Sequence, residues 1–314
     1  MGLVIHQATL EERRLRGIAQ RKQKGILLME LQKPKVLIHI LAKDKEKILP
    51  EWLKRNLDDL EYPRNRVYLY FRTNNNNDAT ANVIHRWIDD QQVRRESPFT
   101  YESDRSWYEW ASIEVDDSDI ATPVQNYGVH EWNAERFKAL GALRQEGIDK
   151  ARFWETDFYY TCDVDNFVLP HTLKKLVSYN QPVVAPLIRY ALGKEEHKPY
   201  ANYHNIASPT GYYQDNYAYY RILNGEVKGL IKCDVVHCTY LIRQDILPKI
   251  KYVDGTDDYE YVIFSRRLRE LGITQWLDNT ELYGYLTLDE DVDACVQWMD
   301  KLKEAYVNNR IAAR

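Results

Sequence analysis

Two acidic pairs and one histidine are the residues of this 314-residue chain best suited to chemistry. The first pair, Asp163-Val164-Asp165, follows the apolar run Phe158-Tyr159-Tyr160-Thr161-Cys162 and precedes Asn166. In an extended chain, side chains at i and i+2 share a face, so Asp163 and Asp165 are expected side by side. Two carboxylates that close repel each other unless a cation lies between them. The pattern points to a divalent-metal site at the carboxyl end of a core strand, where open α/β sheets place their ligands. A bare Asp-x-Asp is also a common solvated loop, and the strongly apolar strand before it is what favours the metal. His237 interrupts a second apolar stretch, residues 233–242, and reads either as a satisfied core residue or as a third metal ligand. The second pair, Asp257-Asp258, precedes a helical pattern over 259–271. One acid is expected as the helix N-cap, leaving the other for function.

Positioning these residues requires a sheet. Val36-Leu37-Ile38-His39-Ile40-Leu41 reads as a central parallel strand. Residues 46–60 place Ile48, Leu49, Trp52, Leu53, Leu57 and Leu60 at helical spacing; a second strand is expected over 67–72 and a helix over 79–91. This alternation predicts a doubly wound α/β half-sheet with right-handed crossovers. The Asn74–Asn77 run with Asp78 closes the second strand, either as a turn with a helix cap or as hydrogen-bonding groups for uracil or ribose. Residues 94–131 break the pattern. They carry Tyr101, Trp107, Tyr108, Trp110 and an acidic run over 114–119, and read as a long excursion over the sheet. A helix over 131–153 leads into the Asp163 strand and offers Arg136, Lys138, Arg144 and Lys150 as phosphate contacts or solvated charges. After the acidic pair a helix is expected over 169–179, then a strand over 182–188. Tyr200, Asn202, Tyr203, His204, Tyr212 and Tyr213 form an aromatic, polar region suited to stacking on sugar faces, or simply to a tyrosine-rich sheet.

The hydrophobic fraction of 44% is ample for a core, and the net charge of −4 argues against general nucleic-acid binding. No stretch approaches the ~18–20 apolar residues of a membrane span. The start, MGLVIHQATLEERRLRG, has four apolar residues before charges begin and does not read as a secretory leader. The four cysteines are scattered without a C-x-x-C spacing, which suits reduced thiols in a reducing compartment. A cytoplasmic protein is therefore expected, with residues 1–33 as a charged arm and 34–314 as a single domain. No phosphate-binding G-x-x-x-x-G-K-[ST] loop occurs.

The order of these stretches resembles the GT-A glycosyltransferases, and most closely the amino-terminal glycosyltransferase domain of the procollagen galactosyltransferase family. The likeness covers roughly residues 35–288. It rests on the strand and turn at 36–43, the asparagine turn before Asp78, Asp163-Val164-Asp165-Asn166 with Pro170 and Leu173, and Val183-Val184-Ala185-Pro186. Tyr200-Ala201-Asn202, Gly211-Tyr212-Tyr213, Val236-His237 with Thr239, Asp257-Asp258 and Tyr283-Gly284 follow in the family's order. The resemblance implies a GT-A fold, a Rossmann-like mixed sheet flanked by helices, with 34–168 as the nucleotide-sugar half and 169–314 as the acceptor half. It implies a UDP-sugar donor bound near Ala42, Lys43, Asn75, Asp78, Asp163 and Asp165, and transfer to the hydroxyl of a glycan, protein or small molecule. A Mn²⁺ or Mg²⁺ ion would sit on Asp163, Asp165 and His237, with Asp165 and His237 as direct ligands and Asp163 acting through water or on the ribose. Mixed carboxylate and imidazole ligation suits Mn²⁺ better than Ca²⁺. The resemblance implies inversion at the sugar, which would need a general base; Asp257 or Asp258, at the mouth of a helix in the acceptor half, is the candidate, with Asp258 slightly preferred. Against the family's pattern, a chain without the secretory leader, the second glycosyltransferase domain and the retention tetrapeptide is expected from these residues. The competing expectations are a non-catalytic nucleotide-sugar or carbohydrate-binding protein on the same fold, and a metal-dependent nucleotidyltransferase.

Overall fold

The seven residues Val36–Ala42 form β1 because an almost unbroken apolar run can be buried on both faces of a sheet. Val36, Ile38 and Ile40 pack into one core cluster with Leu69, Phe71, Tyr160 and Cys162, whereas Leu37 joins Tyr70, Tyr159, Tyr240 and Ile242 in a second. The period of two along β1 thus feeds two separate cores, one on each side of the sheet. The computed structural model describes residues 33–96, 113–120, 133–191, 200–288 and 291–312. The arm expected before Lys33, and Tyr101, Trp107, Tyr108 and Trp110 of the excursion, lie outside the described residues.

On one side of β1 lies β2 (Val67–Thr73), in parallel, and beyond it β3 (Ile113–Asp116), also parallel. On the other side β4 (Phe158–Cys162) runs parallel to β1, and β11 (Thr239–Arg243) pairs antiparallel with β4. The sheet continues through β6 (Val183–Pro186) and β12 (Gln275–Asp278), which are parallel to each other, to β9 (Leu230–Cys233) at the far edge. This eight-stranded mixed sheet matches the expected α/β class. A second sheet joins β5 (Asn166–Val168), β13 (Gly284–Leu286) and β7 (Ile188–Tyr190); β8 (Tyr203–His204) and β10 (Val235–Val236) form a small ribbon. The helices are α1 (Leu49–Trp52), continuing as a π-helical turn over Leu53–Asp58, α2 (Thr80–Glu96), α3 (Ala134–Phe153), α4 (Thr172–Tyr179), α5 (Tyr217–Leu223), α6 (Glu260–Glu270) and α7 (Val292–Ala312). None of the described helices is long and apolar enough to cross a membrane.

Four local expectations are corrected. The acidic run after Tyr108 is partly a strand: Ile113-Glu114-Val115-Asp116 alternates and adds to the edge of the sheet as β3. The apolar stretch over 233–242 is not one strand: it holds the end of β9, then β10 and β11, with breaks at Asp234 and at His237-Cys238. The chain after the Asp163 pair makes β5 before any helix, and α4 starts only at Thr172. Neither Asp257 nor Asp258 caps α6; Tyr259 occupies the N-cap position and makes no side-chain cap bond.

Candidate active site

Asp163 and Asp165 lie on a turn, not on an extended strand. The Asn166 N–H donates to the Asp163 carbonyl at 2.9 Å, closing a four-residue reversal between β4 and β5. The side-by-side argument from a strand period of two therefore does not apply, although both acids do stand at the carboxyl end of β4. Buried groups from three directions hold this turn. Trp52 Nε1 donates to the carbonyls of Asp163 (3.1 Å) and Asn166 (2.9 Å), and Asn56 Nδ2 donates to the Asn166 carbonyl at 2.8 Å. The Asn166 side chain in turn donates to Thr239 Oγ1 at 2.8 Å, tying the turn to the start of β11. The π-helical turn after α1 is what brings Asn56 to this point.

Arg144 lies beneath the turn, buried to 2% exposure on the inner face of α3. Its Nη2 is 3.0 Å from each carboxylate oxygen of Asp163, and its Nη1 donates to Thr161 Oγ1 at 2.8 Å. Its Nε lies 3.5 Å from Glu260 Oε1, at the first residue of α6. Burial alone would push the Arg144 guanidinium down, but Asp163, then Tyr240 and Glu260, hold it well above its usual range. Burial raises the Glu260 carboxyl, and the Arg144 charge offsets part of that rise. Arg144 appeared in the sequence only as one of four basic positions, and Glu260 and Trp52 were not singled out. Periodicity carried the signal: Phe137, Gly141, Arg144, Ile148 and Ala151 form the buried stripe of α3, and Glu260, Phe264 and Leu268 that of α6. A charge on a buried stripe must find a partner.

His237 reaches the same end of the sheet from β11. The Thr239 N–H donates to the His237 carbonyl at 2.7 Å across Cys238, whose φ is +65°. This is the γ-turn of positive sense, a strained conformation for a residue with a side chain and the reason the strand breaks here. The imidazole is buried, with Nδ1 2.9 Å from Cys238 Sγ and 3.5 Å from the Tyr200 hydroxyl, while its buried Nε2 has no hydrogen-bond partner. Burial, with His204 and Arg144 nearby, holds its pKa well below the usual histidine value, so the ring is neutral. The Cys238 thiol is pushed up by burial and then by the charges of Asp163 and Asp165.

Among the described residues no three His, Cys, Asp or Glu side chains converge as a metal cage. A small divalent cation that takes one or two protein ligands and completes its shell with water and substrate phosphates does not require one. His237 precedes β11, which pairs with the Asp163-bearing end of β4, and its unpartnered Nε2 is the imidazole donor this arrangement offers to such a partial donor set.

Ala42, Lys43, Asn75 and Asp78 gather on the two turns that end β1 and β2, whose register pairs Ala42 with Thr73. Most of the polar atoms there are already used. Asp78 accepts from the backbone N–H of Glu46 (3.0 Å) and Thr80 (2.9 Å), and Asn75 Oδ1 accepts from Ile120 N at 2.8 Å. Lys43 pairs with Asp44 at 2.7 Å. The two turns are thereby laced together, which supports the capping role for Asp78. Asp257 is exposed and pairs with Lys138 at 2.5 Å. Asp258 accepts from Arg266 Nη1 (2.7 Å) and the Tyr212 hydroxyl (2.8 Å); the Arg266 hydrogen bond is the main reason its pKa lies below the usual carboxylate value.

Residues 33–303 match the model of the glycosyltransferase family 25 N-terminal domain. The chain belongs to glycosyltransferase family 25. This family-25 chain is 29% identical to human procollagen galactosyltransferase 2 over 93% of its own length and 47% of that protein's. It is 30% identical to a glycosyltransferase 25 family member of Aedes aegypti, over 84% of this chain and 41% of that one. The inactive glycosyltransferase 25 family member 3 of mouse is 27% identical over 81% of the chain and 41% of that protein. The chain thus spans about half the length of the curated relatives it matches. In fold it is similar to the crystal structure of S. aureus TarS 1-349, with a TM-score of 0.50, 14% identity, and coverage of 81% of this chain and 60% of that one.

Proposed function

We propose that this family-25 chain is a metal-dependent glycosyltransferase that moves a sugar from a UDP-sugar to an acceptor hydroxyl with inversion. Residues 34–168 would form the donor half and 169–314 the acceptor half. The observation that carries the reading is the unpartnered, buried Nε2 of neutral His237, two residues before Thr239, which pairs with Cys162 at the end of β4 where the Asp163–Asp165 turn begins. Asp165 and His237 would hold Mn²⁺ or Mg²⁺, which when bound offsets the charge gained by the departing diphosphate. Asp163 would present its outer lone pairs to the donor ribose, and Lys43 and Asn75 would border the nucleotide at the ends of β1 and β2. Asp258 would accept the proton of the acceptor hydroxyl. Its lowered pKa makes it a weak base that acts by position, with Arg266 and the Tyr212 hydroxyl fixing the carboxylate. The acceptor class is a glycan, a protein or a small molecule.

A second reading, binding of nucleotide-sugar without turnover, is favoured by the ion pairs that engage both candidate bases. Release of UDP from a panel of UDP-sugars, with Mn²⁺ or with EDTA, separates the two. Metal-dependent release that Asp165→Asn abolishes supports the transferase; UDP binding with no release from any donor, with or without added acceptors, supports the second.

A further inference from the structure

We propose that Arg144 is a positioning residue for the donor: its buried guanidinium, rather than the metal ion, is the counter-charge of Asp163 and fixes that carboxylate toward the nucleotide. The inference rests on the reading of this end of the sheet as a nucleotide-sugar site, and it assigns a task to a side chain that never reaches the substrate.

The geometry is specific. One guanidinium nitrogen lies 3.0 Å from both oxygens of Asp163, a second is held by Thr161 Oγ1 at 2.8 Å, and Nε lies 3.5 Å from Glu260 Oε1. Two of the three nitrogens of one planar fork are therefore hydrogen-bonded, by Asp163 and Thr161, and the third lies within ion-pair distance of Glu260. A lysine ammonium could not reproduce that pattern. The backbone that carries the fork is fixed as well. One turn earlier in α3, a Cβ on Gly141 would come within 2.7 Å of the Tyr252 carbonyl oxygen and 3.4 Å of the Glu260 Cβ. Helices α3 and α6 are thus in close contact where Arg144 and Glu260 meet. The Asp163 side chain keeps 23% exposure, so its remaining lone pairs face outward while Arg144 is shut away at 3%. Two acids on one turn need two sources of positive charge. Arg144 supplies the first from inside the fold, which leaves the divalent cation to Asp165 and His237.

The test measures UDP affinity by calorimetry in the presence of Mn²⁺, and Mn²⁺ affinity without nucleotide by electron paramagnetic resonance. The proteins are wild type, Arg144→Lys, Asp163→Asn and the double variant. Because Arg144 acts through Asp163, Arg144→Lys should weaken UDP binding about tenfold with Mn²⁺ affinity held within about threefold. In the double variant the loss should be no larger than in Asp163→Asn alone, a non-additivity that a merely structural role would not produce. Should Arg144→Lys fail to fold, Arg144→Met combined with Glu260→Gln removes the buried fork and its inner acid together, and the same loss of UDP affinity is expected. Unchanged UDP affinity in the variants, additive losses in the cycle, or parallel loss of Mn²⁺ would each overturn the proposal. A wild-type chain that binds neither UDP nor Mn²⁺ overturns instead the functional reading on which it rests.

Discussion

His237 Nε2 is a buried nitrogen with no partner, and such an atom costs free energy unless something binds it. Its loss should therefore be felt more in ligand binding than in folding. His237→Gln and Asp165→Asn are each expected to lower UDP-sugar turnover by about 100-fold while leaving the far-ultraviolet circular dichroism spectrum unchanged. The two acids before α6 should behave unequally. Asp257 is 73% exposed in a surface pair with Lys138, and such pairs contribute little, so Asp257→Asn should keep turnover within about twofold. Asp258→Asn should abolish transfer with Mn²⁺-dependent UDP binding retained, and equal activity in both variants would remove Asp258 from the base role. At this scale the sequence identified acids and imidazole by type and spacing, since Asp-x-Asp after an apolar strand and a lone histidine in another are visible in one dimension. The fork of Arg144 was hidden because it depends on contacts between α3, β4 and α6 that no local pattern encodes, although its place on an apolar stripe was a readable clue.

Elements position the site through a few interior latches, and these fix where the account can be broken without touching a ligand. Trp52→Phe removes the indole donor shared by the Asp163 and Asn166 carbonyls. It should cost about 1–3 kcal/mol in urea denaturation and weaken UDP binding as the turn loosens. A second latch is steric. Gly147 of α3 sits directly on His39 of β1, and an added Cβ would fall on the imidazole ring. The ring is stacked on Tyr70 at 5.1 Å and bonded to the Tyr159 hydroxyl at 2.8 Å, so it has nowhere to move. Gly147→Ala should destabilise the fold by at least 1–3 kcal/mol, the range typical of overpacking, again measured by urea. β1, β2 and β4 were legible because strands buried on both faces are apolar throughout. β5 and the break at His237-Cys238 were not, because three-residue strands and a strained γ-turn answer to tertiary contacts rather than to propensity.

The charge state of the whole molecule links stability to pH. Burial holds His39 well below its usual value and lowers His204 to about 4. Both rings are neutral when folded, whereas in the unfolded chain they take up protons below about 6.5. The unfolded state then binds more protons, so stability is fully present above about pH 6.5 and is lost as pH falls toward the folded values. Each buried ring should contribute a slope of up to about 1.4 kcal/mol per pH unit. Urea midpoints at pH 7, 6 and 5 should fall steadily, and less steeply in His39→Gln; identical slopes in the two proteins would show that His39 is not a neutral buried ring. The α/β class and the order of the main strands followed from the alternation of apolar runs and helical stripes. The far edge of the sheet, where β12 and β9 pair, required the folded chain.

On the proposed reading, a divalent cation and a uridine nucleotide meet at Asp165 and His237. Thermal unfolding with UDP, GDP, CDP or ADP, each with Mn²⁺, Mg²⁺ or EDTA, tests it most directly on the wild type and Asp165→Asn. Ligand at ~100 times its dissociation constant stabilises by about 2.7 kcal/mol. A shift of that size is expected with UDP and Mn²⁺, absent in EDTA and in Asp165→Asn. No shift with any nucleotide, or a UDP shift indifferent to metal and to Asp165, would contradict it.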